Sequence, residues 1–563
     1  MRRIALLAAA AAALLTGQDV RNTSTPNTDT HVVMPEYKTL AQWEARKAAL
    51  RKQILFAAGL WPMPAKNELR PLLSGRLERD GYTIEKVAIE TLPGYWLAGN
   101  LFSPRGKQGP FPAIVRPHGH WTYGRLEHQP LNSIPTHAAN LAREGFVVFA
   151  YDMVGFTDTV QTPHNFAKKP EQLWAFGPLG LQLWNSIRVV DYLASLPSVD
   201  RNRIGVTGAS GGGTQAFLLA AVDDRLAFAA PVNMVSAYMQ GGSPCENAPG
   251  LRVGTSNLEF AAMFAPKPML LVSATGDWTK QVPREEFPAI RKVYELYGKP
   301  ENVQVVQFDA PHNYNKDSRE AVTNFLRKTA YGRTDTIRER GVAIEKLADM
   351  MVWHGRALPE GAKHYEQIFG WWRQMSREQT DAAAPDRLRE GLRLALGSEW
   401  PAEVKLEGTA MTRPGRGDRV PATFTAGKGV PIVAIGAAQV FASGRPVLRI
   451  EPFQTGSAAA PRDRSHTHFL TFNASDDAAR VQDIVTAIRF VAGPEVDEVE
   501  ISADGPARIW ALFAAAVSPV KVRLTAPPFK FAGTDDDYIE QFFVPGIQRA
   551  GGFEAAMKAW RGR

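Results

Sequence analysis

The chain has 563 residues, of which 45% are hydrophobic and 22% are charged. This composition is typical of globular proteins, so it excludes disordered, collagen-like and membrane-bundle classes, and the length favours two large domains. The formal net charge is +8, but the Lys and Arg residues are scattered and form no basic run interleaved with aromatic residues, so we expect no nucleic-acid partner.

The N-terminus has the pattern of a secretory signal peptide, which we predict over residues 1–18. Met1-Arg2-Arg3 precedes an apolar run, Ile4 to Leu15, that is shorter than the about 20 residues a transmembrane span needs. An Ala-rich helix that stays attached is the alternative. Gln18 stands where a bacterial lipoprotein signal needs Cys, so lipid attachment has no acceptor. We therefore expect a secreted or periplasmic protein with no membrane partner after signal removal.

Strands and helices alternate after a predicted N-terminal helical arm at 36–80. This alternation predicts an α/β fold with a largely parallel sheet and helices on both faces. The predicted strands lie at 82–89, 95–102, 112–116, 145–151, 204–207, 269–273 and 303–308, and the predicted helices at 36–62, 183–196, 213–222 and 284–297.

Residues 334–400 are predicted to form a helical linker. Their aromatic side chains recur at roughly helical spacing, which favours a packed segment over an aromatic ligand cage. These residues are Trp353, Tyr365, Phe369, Trp371 and Trp372. Strand-like segments return at 431–435 and 446–450.

The second half of the chain repeats part of the first. Residues 205–211 lead into a helix that ends Leu-Ala-Ala-Val at 222, and residues 500–506 lead into a helix that ends Ala-Ala-Ala-Val at 517, an offset of 295. We infer a second, degenerate copy of the same strand–helix unit, with Gly505 where the first copy has Ser210. Chance similarity between two such units is the alternative.

One motif points to nucleophilic catalysis. Gly208-Ala209-Ser210-Gly211-Gly212 is a G-x-S-x-G sequence between a predicted strand and a predicted helix. This is the context of a nucleophile elbow, in which small neighbours permit the sharp turn that exposes the serine. A glycine-rich turn with an incidental serine is the alternative.

A nucleophilic serine needs a base and an orienting carboxylate, which follow it along the chain in this architecture. Asp277 follows the strand 269–273 and His312 follows the strand 303–308. Both therefore stand at the carboxyl ends of strands, where ligands bind in open α/β sheets. We predict that Ser210, His312 and Asp277 form a catalytic triad, with Asp309 as a competing acid.

An oxyanion hole completes the predicted site. We assign its two backbone N–H donors to Gly211, directly after the serine, and to His120, in the loop after an earlier strand. His118 and His120 are an alternative metal pair, but no further ligand stands at a suggestive spacing. We therefore predict no metal and no cofactor.

These motifs resemble the α/β-hydrolase superfamily and, within it, bacterial acetyl xylan esterases and cephalosporin deacetylases, which are related to dienelactone hydrolases. The resemblance covers about residues 80–330. It implies a catalytic α/β-hydrolase domain at 81–333. From the repeat we predict a degenerate, non-catalytic α/β-hydrolase-like domain at 401–563, which departs from the family because it lacks a nucleophile. The resemblance rests on His118-Gly119, Tyr151-Asp152, Gly155, Gly208 to Gly212, Gly276-Asp277-Trp278 and His312.

The resulting hypothesis is a secreted serine esterase that acts on acetylated or otherwise esterified carbohydrate. Its partner would be a small-molecule or oligosaccharide ester, and we take Tyr238, Glu246 and Arg252, in the segment 234–262, as candidate substrate contacts. A prolyl-oligopeptidase-like peptidase is one alternative, although the chain has little room for a propeller ahead of the hydrolase domain. A non-catalytic carbohydrate-binding protein is the other. The oligomeric state stays open.

Overall fold

A computed structural model describes residues 18–440, 444–493, 496–525 and 531–562. The chain divides into two compact units. The large unit comprises 28–167 and 176–371, and the small unit comprises the described residues of 1–27, 168–175 and 372–563. The predicted signal peptide, apart from Gln18, lies outside the described residues. The predicted linker at 334–400 is shared between the two units.

The large unit is built on a nine-stranded sheet with the order β1-β2-β3-β7-β4-β8-β9-β10-β11. The six strands from β7 to β11 in this order pair in parallel, whereas β1, β2 and β3 are antiparallel and β3 joins β7 antiparallel. The strands are β1 (Leu72–Arg79), β2 (Tyr82–Leu92), β3 (Tyr95–Pro104), β4 (Phe111–Arg116), β5 (His128–Gln129), β6 (Asn132–Ser133), β7 (Val147–Tyr151), β8 (Val199–Ala209), β9 (Leu226–Val232), β10 (Met269–Gly276) and β11 (Val303–Pro311); β5 and β6 form a separate two-stranded pair.

The central strands are short and apolar because helices cover them. Every residue of β4 and β7 is buried, as expected for parallel strands packed on both faces. The helices, in chain order through both units, are α1 (Val20–Thr23), α2 (Leu40–Ala57), α3 (Ile134–Glu144), α4 (Lys169–Leu173), α5 (Pro178–Ser195), α6 (Gly211–Val222), α7 (Asn257–Ala262), α8 (Glu286–Leu296), α9 (Lys316–Tyr331), α10 (Leu347–Met350), α11 (Tyr365–Asp381), α12 (Pro385–Leu396), α13 (Phe469–Phe472), α14 (Asp476–Ala492), α15 (Ala507–Val517), α16 (Asp535–Gln541) and α17 (Gly552–Arg561).

The core of the large unit lies between the sheet and its helices. Leu141 of α3 and Leu326 of α9 join Val148 of β7 and Val272 of β10 in one buried cluster. Helices α5 and α6 pack against β8. Helix α3 has clear capping residues at both ends. The Ser133 side chain accepts a hydrogen bond from Thr136 N at its start, and Gly145 adopts a left-handed conformation after its end. These caps favour a helix in this segment.

The small unit repeats the central topology of the large one. Its sheet has the order β12-β13-β14-β16-β15-β17-β18, in which β16, β15, β17 and β18 pair in parallel and β14 joins β16 antiparallel. The last five strands of this order, β14-β16-β15-β17-β18, correspond to β3-β7-β4-β8-β9 of the large unit. The described residues of the small unit contain no strand beyond β18 that would match β10 or β11. The strands are β12 (Lys405–Glu407), β13 (Ala410–Thr412), β14 (Val420–Thr425), β15 (Ile432–Ile435), β16 (Val447–Ile450), β17 (Glu498–Ser502) and β18 (Lys521–Leu524).

The fold prediction is confirmed: this is an α/β-hydrolase fold followed by a second sheet-containing region. The sequence pattern did not indicate β1, β9, α3 or α9. Gly505 lies in the turn between β17 and α15, as Ser210 does between β8 and α6. Among the described helices, none has the length and apolar character that crossing a membrane requires.

Candidate active site

Ser210 lies in a sharp turn between β8 and α6. Its backbone has φ 59° and ψ −127°, a conformation that L-residues avoid and that marks stored strain at a functional position. The turn is tight, because a Cβ at Gly208 would lie 2.4 Å from the Gly212 carbonyl oxygen. Ser210 N donates to Val232 O, at the end of β9, over 3.2 Å. The local sequence therefore holds the serine at the carboxyl end of the sheet.

Asp277 and His312 are brought together by the two adjacent strands that precede them. β10 ends at Gly276 and β11 ends at Pro311, and these two residues are register partners. His312 Nδ1 lies 2.9 Å from Asp277 Oδ2. The competing acid, Asp309, instead accepts a hydrogen bond from Thr275 Oγ1. The geometry thus pairs the histidine with Asp277.

The Asp277 carboxylate is buried and has donors on both oxygens. Its side chain is 2% exposed, and Oδ1 accepts a hydrogen bond from Thr279 N at 2.7 Å and another from Thr279 Oγ1. Because an ionised carboxylate only accepts, His312 Nδ1 carries the proton in this pair. The other ring nitrogen, Nε2, is therefore the basic atom, and it is buried with no hydrogen-bond partner among the described residues.

Two tryptophans and an asparagine fix the histidine loop. The Trp278 ring packs on the His312 ring with centroids 4.4 Å apart. The Trp121 ring lies nearly parallel to the His312 ring, with centroids 6.4 Å apart. Asn233, which has a left-handed backbone directly after β9, accepts from Trp278 Nε1 through its carbonyl oxygen and donates to Asn313 O. Sequence reasoning missed Asn233, because its role depends on two loops distant along the chain.

The loop after β4 lies over the serine. A Cβ at Gly119 would lie 2.8 Å from Ser210 Cβ, and a Cβ at Gly211 would lie 3.0 Å from His120 Cε1. The loop that carries the predicted second amide donor is therefore in contact with the nucleophile turn. His118 points inward, where burial lowers its pKa to about 3 and its Nε2 accepts from Met153 N. That contact excludes His118 as a metal ligand through Nε2.

The three predicted substrate contacts differ in their surroundings. Tyr238 donates its hydroxyl to Glu285 and stacks on His31, and no contact with the triad is among its described contacts. Arg252 is buried and donates to Glu246 O and to Asn257 Oδ1, so it holds its own loop together. Burial lowers the pKa of Arg252 to about 9.

Glu246 faces His120, the residue to which we assigned the second oxyanion-hole amide. Its Oε1 lies 4.0 Å from His120 Nδ1, while its Oε2 accepts from the N–H groups of Gly242 and Ser243. Burial raises the pKa of this carboxyl. Glu246 therefore borders the loop over the nucleophile turn.

His120 also contacts two residues that the sequence did not connect with it. Its Nε2 lies 3.1 Å from His164 Nε2 and 3.0 Å from Cys245 Sγ. Burial lowers the pKa values of both imidazoles and raises that of the thiol. The three residues come from separate loops, so no spacing in the sequence could have indicated the cluster.

A buried ion cluster lies directly after β7. Arg125 pairs with Asp152, directly after β7, and with Asp158 at 2.6 Å, and all three side chains are almost fully buried. Burial raises the pKa of Asp152 to about 6. The resemblance singled out Asp152, but its partners could not be assigned without the structure.

Comparisons with known proteins agree with this architecture. Residues 97–331 match the Dienelactone hydrolase family. YtaP of Bacillus subtilis (strain 168) is 27% identical over 304 residues, which are 50% of this chain and 99% of YtaP. The solved structure of Methylesterase BT1017 superposes with a TM-score of 0.53 and 31% identity, covering 61% of this chain and 78% of that one. This chain is therefore an esterase-type hydrolase of the α/β-hydrolase fold, and its residues 97–331 match the dienelactone hydrolase family.

Proposed function

We propose that this protein is an exported serine esterase that cleaves carboxylic esters of carbohydrates. The observation that carries the proposal is the 2.9 Å contact between His312 Nδ1 and Asp277 Oδ2, at the sheet edge that also carries Ser210. A strained serine, a histidine with a free Nε2 and a buried carboxylate are the three parts that acyl transfer needs.

In the first half of the reaction the serine becomes acylated. His312 Nε2 takes the proton of the Ser210 hydroxyl while the oxygen bonds to the ester carbonyl carbon. The amides of Gly211 and His120 stabilise the oxyanion that forms. The imidazolium, held by Asp277, then protonates the departing alcohol as the ester bond breaks.

Water completes the cycle. A water molecule gives a proton to His312 Nε2 and attacks the acyl-enzyme carbonyl, and collapse of the second tetrahedral intermediate returns the proton to Ser210 and releases the acid. Trp278 and Trp121 keep the imidazole ring in one orientation through both halves. No step requires a group that the chain lacks.

The substrate class rests on relatives rather than on this site alone. Methylesterase BT1017 is by name an enzyme of methyl esters, and the resemblance to acetyl xylan esterases points to carbohydrate. A methyl ester of a sugar acid and an acetyl ester of a sugar hydroxyl are both carboxylic esters, with the bulky group on opposite sides of the scissile bond. The same triad chemistry serves both.

Export is a separate part of the proposal and rests on the pattern of residues 1–18. The test is to express the full chain in a bacterium with a periplasm and to sequence the N-terminus of the protein recovered there. We expect an N-terminus close to residue 18. A chain that stays in the cytosol and begins at Met1 would overturn this part alone.

The catalytic part is tested by active-site labelling. Wild type and Ser210→Ala are treated with a fluorophosphonate, then assayed on p-nitrophenyl acetate, methyl-esterified polygalacturonate and acetylated xylan. We expect wild type to be labelled at Ser210 and to cleave at least one carbohydrate ester, and the variant to lose labelling and about a thousandfold or more of the rate. Folded wild type that is neither labelled nor active would refute the proposal.

An internal control separates the two aspartates. Asp277→Asn is expected to reduce kcat by about a thousandfold, because the amide favours the wrong histidine tautomer, whereas Asp309→Asn is expected to leave it within about twofold. The reverse result would move the acid to Asp309, the alternative that the sequence left open.

A further inference from the structure

The cluster of His120, His164 and Cys245 brings three metal-binding atoms together. His120 Nε2 is 3.1 Å from His164 Nε2 and 3.0 Å from Cys245 Sγ, and the three atoms lie within 4.8 Å of one another. Tetrahedral zinc with its usual bond lengths sets two nitrogen ligands about 3.3 Å apart and a nitrogen and a sulfur about 3.6 Å apart. Small side-chain rotations would therefore reach coordination geometry.

A hydrogen bond behind His164 and a carboxylate near His120 orient these atoms toward each other. His164 Nδ1 lies 2.6 Å from Val154 O, and because a carbonyl only accepts, Nδ1 carries the proton and Nε2 has a free lone pair. His120 Nδ1 faces Glu246 Oε1 at 4.0 Å, which favours the same tautomer. A backbone carbonyl or a carboxylate behind each imidazole is the usual arrangement around ligating histidines.

These tautomers leave two nitrogen lone pairs facing each other 3.1 Å apart, with a sulfur beside them. Such an arrangement is unfavourable unless a proton or a cation lies between the atoms. A shared proton can satisfy one pair of atoms, whereas a metal ion satisfies all three. The donor set of two imidazoles and one thiolate suits a soft or borderline divalent ion such as Zn²⁺, rather than Mg²⁺ or Ca²⁺, which prefer oxygen.

We propose that His120, His164 and Cys245 form a binding site for a zinc-type divalent cation beside the candidate active site. Cys245 is buried, His164 is partly exposed and His120 is exposed, so an ion can enter from the solvent side and keep a fourth position there. On binding, the thiol proton of Cys245 passes to solvent and its sulfur coordinates as thiolate. The proposal does not depend on esterase activity.

The experiment uses Co²⁺ as an optical probe for zinc in the full-length, tag-free protein after chelator treatment and dialysis. We expect one equivalent to bind with the visible absorption of tetrahedral cobalt and a thiolate-to-cobalt band in the near ultraviolet. Because Cys245 is the single cysteine of the chain, that band can arise from no other residue. Zn²⁺ is then expected to displace the cobalt and remove both signals.

Variants assign the ligands. Cys245→Ser should lose the thiolate band, and His164→Ala should weaken cobalt binding by about a hundredfold or more, since a whole ligand is removed. His354→Ala removes an exposed histidine outside the cluster and should bind as wild type does. Near-ultraviolet circular dichroism and melting curves of each metal-free variant check folding. A wild type with no saturable cobalt binding, or with binding unchanged in folded Cys245→Ser, would overturn the proposal.

Discussion

Thr279 binds the oxygen of Asp277 that His312 leaves unused. Both the N–H and the hydroxyl of Thr279 donate to Oδ1, while the histidine contacts Oδ2. The Thr279 hydroxyl also accepts from Ala274 N, at the end region of β10. The acid is therefore fixed in rotation by a fully buried residue, and this makes Thr279 a positioning residue.

We expect Thr279→Val to lower kcat about tenfold with little change in KM, because the carboxylate loses one of its two fixing hydrogen bonds on Oδ1. Thr279→Ser keeps the hydroxyl and should restore the rate. Thr275→Val removes the equivalent hydroxyl contact to Asp309 and serves as the matched control. Steady-state kinetics on the best ester substrate measure all three; equal losses in Thr279→Val and Thr275→Val would contradict the assignment.

Gly119→Ala tests the contact between the loop after β4 and the nucleophile. A Cβ there would lie 2.7 Å from Ala209 O and 2.8 Å from Ser210 Cβ, so the loop must shift. We expect a ten- to hundredfold loss of kcat/KM, of the size that a misplaced reacting group produces. Gly341→Ala, with open space around its Cβ position, should be neutral. An unchanged rate in Gly119→Ala would mean that the loop does not constrain the serine.

Glu286 is expected to make stability depend on pH. Its side chain is buried at the start of α8, with Oε1 accepting from Ala237 N and Oε2 without a partner among the described residues. Burial raises its pKa to about 7 from an ordinary value of 4.5. The folded state therefore keeps the proton to higher pH than the unfolded state, so this contribution to stability is complete below the ordinary value and is lost as pH rises toward 7.

The loss amounts to at most about 3 kcal/mol in the free energy of unfolding of the large unit. Melting temperatures between about pH 5 and about pH 8 measure it, and Glu286→Gln should flatten the decline, since an amide does not titrate. Glu285→Gln changes the neighbouring, partly exposed carboxylate and is the control. Identical pH dependence in wild type and Glu286→Gln would contradict the assignment.

Arg125 is expected to be indispensable for stability rather than for chemistry. Arg125→Met leaves the buried Asp152 and Asp158 without their shared cation, which should cost about 3–5 kcal/mol in the free energy of unfolding. Arg76→Met removes an exposed ion pair with Glu85 and should cost less than about 1 kcal/mol. Urea denaturation monitored by tryptophan fluorescence compares them, and similar costs for both variants would contradict the expectation.

Sequence reasoning indicated the positions of residues that directly follow a local element. Ser210 follows β8, Asp277 follows β10 and His312 follows β11, so hydrophobic runs and the residues that end them were enough to propose a common edge. The structure then shows the aspartate and histidine in contact. Parallel pairing explains this success, because it puts the carboxyl ends of all these strands on one side.

Sequence reasoning failed where contacts depend on loops distant in the chain. His164 and Cys245 meet His120 only because three loops converge, and Asn233 ties together the loops of Trp278 and Asn313. Arg252 was predicted to contact substrate because it lies in the segment 234–262, and the partners of its Nε and Nη1 within that loop could not be assigned from the sequence. Burial and partner choice are tertiary properties, and no local pattern encodes them.

The sheet of the small unit has seven strands where that of the large unit has nine, and Gly505 occupies the turn that corresponds to Ser210. Both Ser210 and Gly505 have positive φ, 59° and 52°, so the two turns share a backbone feature although only the first carries a hydroxyl. Gly505→Ser would still create an alcohol with no base, since the described part of this unit has no counterpart of the strands that end at Asp277 and His312. Restoring a hydroxyl at position 505 would therefore complete no triad in the described part of this unit.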